Sequence, residues 1–249
     1  MRIEYALKVE AEYHIGSGLS RPGAVDETII KRPNGELFIP AEYFRGLLRD
    51  CCTQILYWTG KHLKCCEASL RKAPAESEMA GLLKTCGLNF SGKEPCVLCR
   101  IFGTTFTRKL YHFGDAVLSE KRAKESTRIS VHNRIDPVTG RVPQDLLFSF
   151  EVGSPAIFKG HLERLSPATN PDALLEEVGL LIAGLRLIER IGKRSARGWG
   201  WACVEKIWLS FSDLERNGLP MQVKDSPEDW KKWLEAFLEG GGDDGVGAP

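Results

Sequence analysis

Two hydrophobic periods alternate along this 249-residue chain, and their order leaves few folds open. Apolar residues occupy every second position over 3–13 and again over 146–152, which is typical of strands with one buried face. Helical spacing recurs over 44–55 and 171–191. A last apolar segment, 201–209, is predicted to be a closing strand. The order is therefore strand, helix, strands, helix, strand.

This order predicts an α+β fold with a ferredoxin-like, or RRM-like, core. We expect one domain over 1–210, an acidic helical extension over 211–239 and a flexible tail over 240–249. Two stretches interrupt the periodic pattern: a cysteine-rich insertion at about 61–105 and a polar β-hairpin at about 116–145. Such folds host many activities, so function has to be inferred from side chains.

Hydropathy and cysteine content bear on the cellular compartment. The longest apolar run, 180–187, is far too short to cross a bilayer, and the N-terminus lacks a signal-peptide pattern. We therefore expect a cytoplasmic protein with no membrane partner. In that compartment the eight cysteines favour free thiols or a metal site over disulfides.

The net charge of +1 conceals an uneven distribution. Segment 100–145 carries nine basic and five acidic residues, and segment 186–206 carries six and two. The C-terminal segment 211–249 reverses this, with four basic and nine acidic residues. Two basic segments in a near-neutral chain indicate a localised polyanion-binding surface, although an ordinary solvated face has the same pattern.

The cysteines of the insertion have the spacing of metal ligands. Cys96 and Cys99 are separated by two residues, and the other thiols lie upstream of them. We predict a structural Zn²⁺ site that ties the insertion together, with four thiolate ligands: Cys66, Cys86, Cys96 and Cys99. Cys65 and His62 are alternatives for the Cys66 ligand. A set of free thiols is the other interpretation.

Four motifs, in order, resemble those of the RAMP superfamily (repeat-associated mysterious proteins). They are an N-terminal signature over 14–18, 23–26 and 39–49, a cysteine-containing segment over 96–103, a thumb-like hairpin over 133–140 and a glycine-rich loop over 192–200. Within the superfamily, the pattern is most similar to the backbone subunits of type III CRISPR effector complexes.

The resemblance implies a ribonucleoprotein role in antiviral defence. The implied partners are a guide (CRISPR) RNA, a target RNA, further copies of this chain and other type III subunits. It also implies an endoribonuclease that cuts bound target RNA at regular intervals with Mg²⁺ or Mn²⁺, with Asp26 as the catalytic residue. One carboxylate cannot build a two-metal site, so we expect attack by the RNA's own 2′-hydroxyl, with Asp26 holding a metal-bound water or orienting the proton acceptor.

The resemblance and the charge pattern together suggest which residues bind RNA. The glycine-rich loop lacks a Walker spacing and follows a helix C-terminus, so phosphate binding there depends on side chains and freed amides. Val131 and Ile135 could wedge between bases. The predicted RNA-binding residues are His14, Gly16, Ser17, Arg45, Arg49, Arg128, His132, Asn133, Arg134, Arg141, Lys193, Arg194 and Arg197.

Three other functions are compatible with the sequence. The chain could be a non-catalytic guide-RNA scaffold, in which Asp26 only supports its loop. It could be a guide-RNA processing endonuclease, for which His14 is the tempting general base. It could also be a zinc-dependent interaction module with no RNA role, which salt-dependent RNA binding excludes.

Overall fold

The structure, a computed structural model, describes residues 1–66, 86, 95–104, 107–119, 127–133, 135–136, 138–142, 147–167, 170–211 and 230–239. Its strands are β1 (Arg2–Val9), β2 (Phe38–Ile39), β3 (Tyr111–Phe113), β4 (Ala116–Leu118), β5 (Thr127–Asn133), β6 (Leu147–Gly153), β7 (Ala156–Arg164) and β8 (Ala202–Ser210). Its α-helices are α1 (Ala41–Trp58), α2 (Val97–Phe102), α3 (Pro171–Arg186) and α4 (Trp230–Glu239).

The main sheet has β1 at its centre, between β7 and β8. The order is β2-β4-β7-β1-β8, β3 pairs with β7 as well, and all these pairings are antiparallel. Ile3, Tyr5 and Leu7 are fully buried, whereas Arg2 and Glu4 on the opposite face are exposed, as the period of a strand requires. The predicted α+β class is confirmed.

Helices α1 and α3 cover the apolar face of this sheet. The ring of Tyr5 stacks on Phe44 of α1 with 4.5 Å between centroids. A Cβ added to Gly184 of α3 would lie 2.6 Å from Cys52 Sγ, so the two helices approach closely. The helix predicted over 171–191 ends earlier, at Arg186, because Ile191 donates its N–H to Gly200 O (2.8 Å) instead of to the preceding turn.

A separate two-stranded sheet is formed by β5 and β6, whose pairing runs from Thr127 opposite Gly153 to Asn133 opposite Leu147. This β5–β6 hairpin extends further toward the C-terminus than the predicted 116–145. Residues 116–118 instead form β4 of the main sheet, because Ala116 is fully buried in the core and Val117 pairs with Lys159 of β7.

Helix α4 packs on α3 and lies within the predicted helical extension. Trp233 and Phe237 are buried, and Gly179 of α3 leaves room for Phe237. Much of the insertion and the tail 240–249 lie outside the described residues. Within the described part of the chain, no helix combines the length and the hydropathy needed to span a bilayer.

Candidate nucleic-acid interface and metal centre

The first part of the site forms around His14, which follows β1 and is fully buried. Its Nδ1 lies 2.7 Å from the carbonyl oxygen of Glu151, and because a carbonyl only accepts, Nδ1 carries the proton. Its Nε2 then faces Glu27 Oε2 at 3.3 Å, a close contact that lacks good hydrogen-bond direction. A Cβ on Gly16 would lie 3.1 Å from the same Nε2. His14 therefore connects internal segments of the chain and has no exposed surface with which to contact RNA.

Asp26 is exposed, and the β5–β6 hairpin holds it. Its Oδ2 accepts hydrogen bonds from the backbone N (2.7 Å) and Oγ (2.9 Å) of Ser149, and its own N–H donates to Ser149 Oγ (3.0 Å). These bonds to the charged form lower the pKa of Asp26 below its ordinary value. The carboxylate is thus ionised at neutral pH and fixed relative to β6.

The adjacent Glu27 pairs with the glycine-rich loop. Lys193 Nζ lies 2.5 Å from Glu27 Oε2, and this contact is the main reason that the pKa of Glu27 is lowered. Lys193 keeps 60% of its side chain exposed. Its backbone N–H donates to His14 O (2.9 Å), and the preceding Gly192, with φ +78°, packs so closely that a Cβ would lie 2.5 Å from that oxygen.

The loop also packs on the hairpin. The guanidinium carbon of Arg194 lies 3.7 Å from the centroid of the Phe150 ring, and Trp199 contacts that ring edge-on. His132 of β5 lies against both aromatic rings. Burial, and then the charges of Arg194, Arg197 and Arg128, lower the pKa of His132, so positive charge concentrates at this point.

The outer part of the hairpin carries the remaining predicted contacts. Arg128 makes a two-pronged ion pair with Glu12, at 2.5 and 2.6 Å. Asn133 and Arg141 are exposed, whereas Arg134 lies outside the described residues. Val131 and Ile135 expose 56% and 59% of their surface, as wedging side chains would require.

Three predicted residues lie in supporting positions. Ser17 Oγ is 2.7 Å from Thr28 Oγ1 and closes the loop that carries Asp26. Arg45 and Arg49 are half-buried on α1, and Arg45 Nη2 lies 3.8 Å from Glu42 Oε2. Helix α1 is attached to the glycine-rich loop through the Tyr43 hydroxyl, which accepts from Gly192 N at 2.5 Å.

The predicted zinc ligands come together. One sulfur from each of Cys66, Cys86, Cys96 and Cys99 lies within 4.8 Å of the others. Cys96 precedes α2 and Cys99 lies one turn inside it, which brings both thiols to one side. Hydrogen bonds from Cys65 and Cys66 lower the pKa of Cys96, whereas hydrogen bonds with Cys66 and Cys96 raise the pKa of Cys99. Four close thiols could hold a metal ion such as zinc.

A buried ion-pair network fastens this candidate metal centre to the core. Glu177 of α3 is fully buried and accepts from Arg100 Nε (2.8 Å), Arg164 Nε (3.0 Å) and the Tyr111 hydroxyl (2.9 Å). Arg100 directly follows Cys99 in α2. Sequence reasoning missed this network, although a glutamate on the apolar face of a helix is a signal that a buried partner exists.

A family model described as the RAMP superfamily matches residues 6–204. The chain belongs to the RAMP superfamily. The resemblance inferred from the motifs is thereby confirmed, and membership suggests a CRISPR-associated role in RNA binding. A search of curated proteins gave no match.

Two of the RAMP motifs, the N-terminal signature and the glycine-rich loop, meet in this chain on β6, whose contacts the sequence did not single out. In the signature, Asp26 bonds to Ser149 and His14 bonds to the carbonyl of Glu151, and in the glycine-rich loop Arg194 packs on Phe150. The alternation over 146–152 predicted a strand there. Nothing in that pattern says which distant loops a strand will contact, so Ser149, Phe150 and Glu12 were missed.

Proposed function

We propose that this RAMP protein is a backbone subunit of a type III CRISPR effector complex that binds guide RNA and cuts the bound target RNA with Asp26. The observation that carries the proposal is that β6 holds an ionised, exposed Asp26 on the same hairpin that presents Val131 and Arg128. The hairpin would thereby bring a wedging side chain, phosphate-binding cations and a reactive carboxylate to the same stretch of RNA.

We also propose a ferredoxin-like core. The order β8-β1-β7-β4, antiparallel throughout, with α1 following β1 and α3 following β7, supports it. On this basis 1–210 is the RAMP domain, with the insertion and the hairpin as its elaborations, and 211–239 is a helical extension.

The proposed reaction is an internal transesterification. The 2′-oxygen of the target attacks the adjacent phosphorus, and its proton passes to a base. The bond to the 5′-oxygen breaks and that oxygen takes up a proton, which leaves a 2′,3′-cyclic phosphate and a 5′-hydroxyl. Holding the RNA in line for that attack supplies much of the rate. Asp26 offers a hard carboxylate oxygen that suits Mg²⁺ or Mn²⁺, and such an ion would neutralise the phosphate charge.

RNA binding is assigned to exposed cations that now face carboxylates. Lys193 pairs with Glu27, and Arg128 pairs with Glu12. A phosphate can replace either carboxylate as the partner, because each cation is already held at the surface in a fixed position. Asn133, Arg141 and Arg197 are also exposed and are assigned to the same surface, and Arg134 is assigned to RNA binding from the sequence alone.

The four-cysteine cluster is proposed to hold structural Zn²⁺. A site closed by four thiolates leaves no open position for substrate, so its role is to fold the insertion. Further copies of the chain and other type III subunits are the expected protein partners.

The decisive experiment is Asp26→Ala in the complex purified with its neighbouring subunits. Target cleavage should fall by about a hundredfold or more, while guide RNA still copurifies and target affinity is unchanged. EDTA should also stop cleavage. Asp172→Asn, an exposed aspartate at the start of α3, is the matched control and should cut normally.

If Asp26→Ala cuts at the wild-type rate, Asp26 is not catalytic; if wild-type complex binds but never cuts, the protein is a scaffold. A processing endonuclease that used His14 would cut repeat RNA as a free protein, and the complete burial of His14 argues against that chemistry.

A further inference from the structure

We infer that Arg194 is a positioning residue: its guanidinium fastens the β5–β6 hairpin to the glycine-rich loop through the face of Phe150 and so fixes the location of Asp26. This assigns Arg194 a role different from that of a phosphate ligand. Only its catalytic consequence rests on the proposed function.

The contact has the geometry of a close cation–π pair. Arg194 Cζ lies 3.7 Å from the Phe150 centroid, well inside the limit of about 6 Å for such pairs. Phe150 is only 4% exposed and Arg194 is half-buried, so the ring side of the pair is shielded from water. A planar guanidinium can stack on a ring in this way, whereas a lysine ammonium cannot.

Phe150 joins three segments that are distant in sequence. Its ring contacts His14 at 5.7 Å, His132 at 5.9 Å and Trp199 at 6.1 Å between centroids. These residues belong to the segment after β1, to β5 and to the glycine-rich loop. Arg194 covers a face of that ring, so losing its side chain opens the place where all three segments meet.

The backbone at Arg194 supports this assignment. Among the described residues, Arg194 is the one non-glycine with positive φ, at +63°. That conformation is unfavourable for a residue with a Cβ and persists where surrounding contacts compensate for it. The contacts of Arg194 with Phe150 and Trp199 are of that kind.

The link to Asp26 runs through neighbouring residues of β6. Ser149 holds Asp26 by its N–H and hydroxyl, and Phe150 is the next residue. Successive side chains of a strand point to opposite faces, so Arg194 fixes one face of β6 while Asp26 is held at the adjacent residue. A displacement of β6 therefore displaces Asp26, and shifts of about 1 Å can cost a hundredfold in rate.

Arg197 is the matched control because it lies in the same loop but is exposed. A phosphate ligand contributes to the salt dependence of RNA affinity, at about 0.7 in the logarithmic slope per contact with a single strand. We expect Arg197→Ala to reduce that slope. Arg194→Ala should leave the slope unchanged, because its guanidinium is directed at Phe150.

The test compares Arg194→Ala, Arg194→Lys and Arg197→Ala. The first measurement needs no RNA: hydrogen exchange of the peptide covering 147–153, which includes the Ser149 N–H bonded to Asp26. Both Arg194 variants should exchange about tenfold faster than wild type. Arg194→Lys should do so because it keeps the positive charge but lacks the planar guanidinium. Arg197→Ala should exchange like wild type.

The second measurement is target cleavage at saturating RNA, where both Arg194 variants should be about tenfold slower. Arg194→Ala with normal exchange and a reduced salt slope would make Arg194 a phosphate ligand and overturn the inference. Wild-type complex that fails to cut would refute the proposed catalysis instead, and the exchange experiment would still decide the role of Arg194.

Discussion

The candidate metal centre and the Asp26 site are built in opposite ways. The four thiols of the metal centre come from residues 66–99 and meet within one insertion. At the Asp26 site the contacts are remote: Asp26 and Ser149 are 123 residues apart, and Glu27 and Lys193 are 166 apart. One region is specified by local spacing, the other by how the whole fold brings β6 to distant loops.

The two regions therefore depend on different stabilising interactions. The metal centre would gain its order from metal–thiolate bonds, which can supply about 10–16 kcal/mol in small zinc sites. The Asp26 site relies on individual hydrogen bonds, each with a net contribution of about 0.5–1.5 kcal/mol. Single substitutions should accordingly disrupt the metal centre completely and the Asp26 site only in part.

The largest effect is expected for Cys96→Ser and Cys99→Ser. Zinc should fall from about one ion per chain to none, because a tetrahedral site loses a ligand. Limited proteolysis should then cut the insertion between residues 61 and 105 much earlier. Cys203→Ser, which replaces an exposed cysteine on β8, is the control, and the protein with this substitution should retain zinc. Wild-type protein purified without oxygen and free of zinc would refute the site.

The next effect is expected for Glu177→Gln, which tests whether the metal centre is fastened to the core by charge. Breaking a buried ion pair from one side costs about 3–5 kcal/mol, because Arg164 remains buried without its counter-ion and Arg100 keeps only Glu176. Thermal unfolding should show a large loss of stability with zinc still bound. Glu176→Gln, whose carboxylate is 36% exposed, should cost much less.

A third prediction concerns the Asp26 site and its pH dependence. Ser149→Ala removes one of the hydrogen bonds that lower the pKa of Asp26, so that pKa should rise toward its ordinary value. As the pH is lowered, the cleavage rate of Ser149→Ala should therefore begin to fall at a higher pH than that of wild type. The two rates should be equal near neutrality. Ser210→Ala, at the exposed end of β8, is the control. If the cleavage rate of Ser149→Ala falls with decreasing pH just as that of wild type does, the hydroxyl of Ser149 does not control the ionisation of Asp26.

These expectations reflect what the sequence could and could not specify. Alternation and helical spacing predicted the α+β class, and thiol chemistry predicted the cysteine cluster, because both depend on near neighbours. The C-terminal end of α3 was not predicted, and neither was the assignment of 116–118 to the main sheet. Backbone pairing with Gly200 and with β7 decides these two features. The partners of Asp26 and Arg194 depend on tertiary contacts with β6, which no local pattern encodes.

A fourth prediction distinguishes RNA-binding cations from cations that stabilise the fold. Lys193→Ala combined with Arg197→Ala should reduce the salt dependence of single-stranded RNA binding by about 1.4 in the logarithmic slope, if each contacts one phosphate. The loss should be the same for all RNA sequences. Lys159→Ala combined with Lys206→Ala, exposed on the other face of the main sheet, is the control and should bind normally. A loss limited to certain sequences would mean that Lys193 or Arg197 reads bases.

The smallest effect on stability is expected at the Arg128–Glu12 pair, and its sign differs between folding and binding. Arg128 is 57% exposed, so Glu12→Gln should cost only about 0.2–1 kcal/mol of folding stability. Because Arg128 lowers the pKa of Glu12, this contribution is present above the unfolded-state pKa of Glu12 and is lost as pH falls through the folded-state pKa.

Removing the carboxylate should nevertheless strengthen RNA binding, because Arg128 no longer has to exchange Glu12 for a phosphate. Glu4→Gln breaks a similar exposed pair with Arg2, at 3.0 Å, on the other face of the main sheet. It should cost as little stability and leave RNA affinity unchanged. Equal RNA affinity in both variants would show that Arg128 stays with Glu12 when RNA is bound, and the hairpin would then contact RNA through its other side chains.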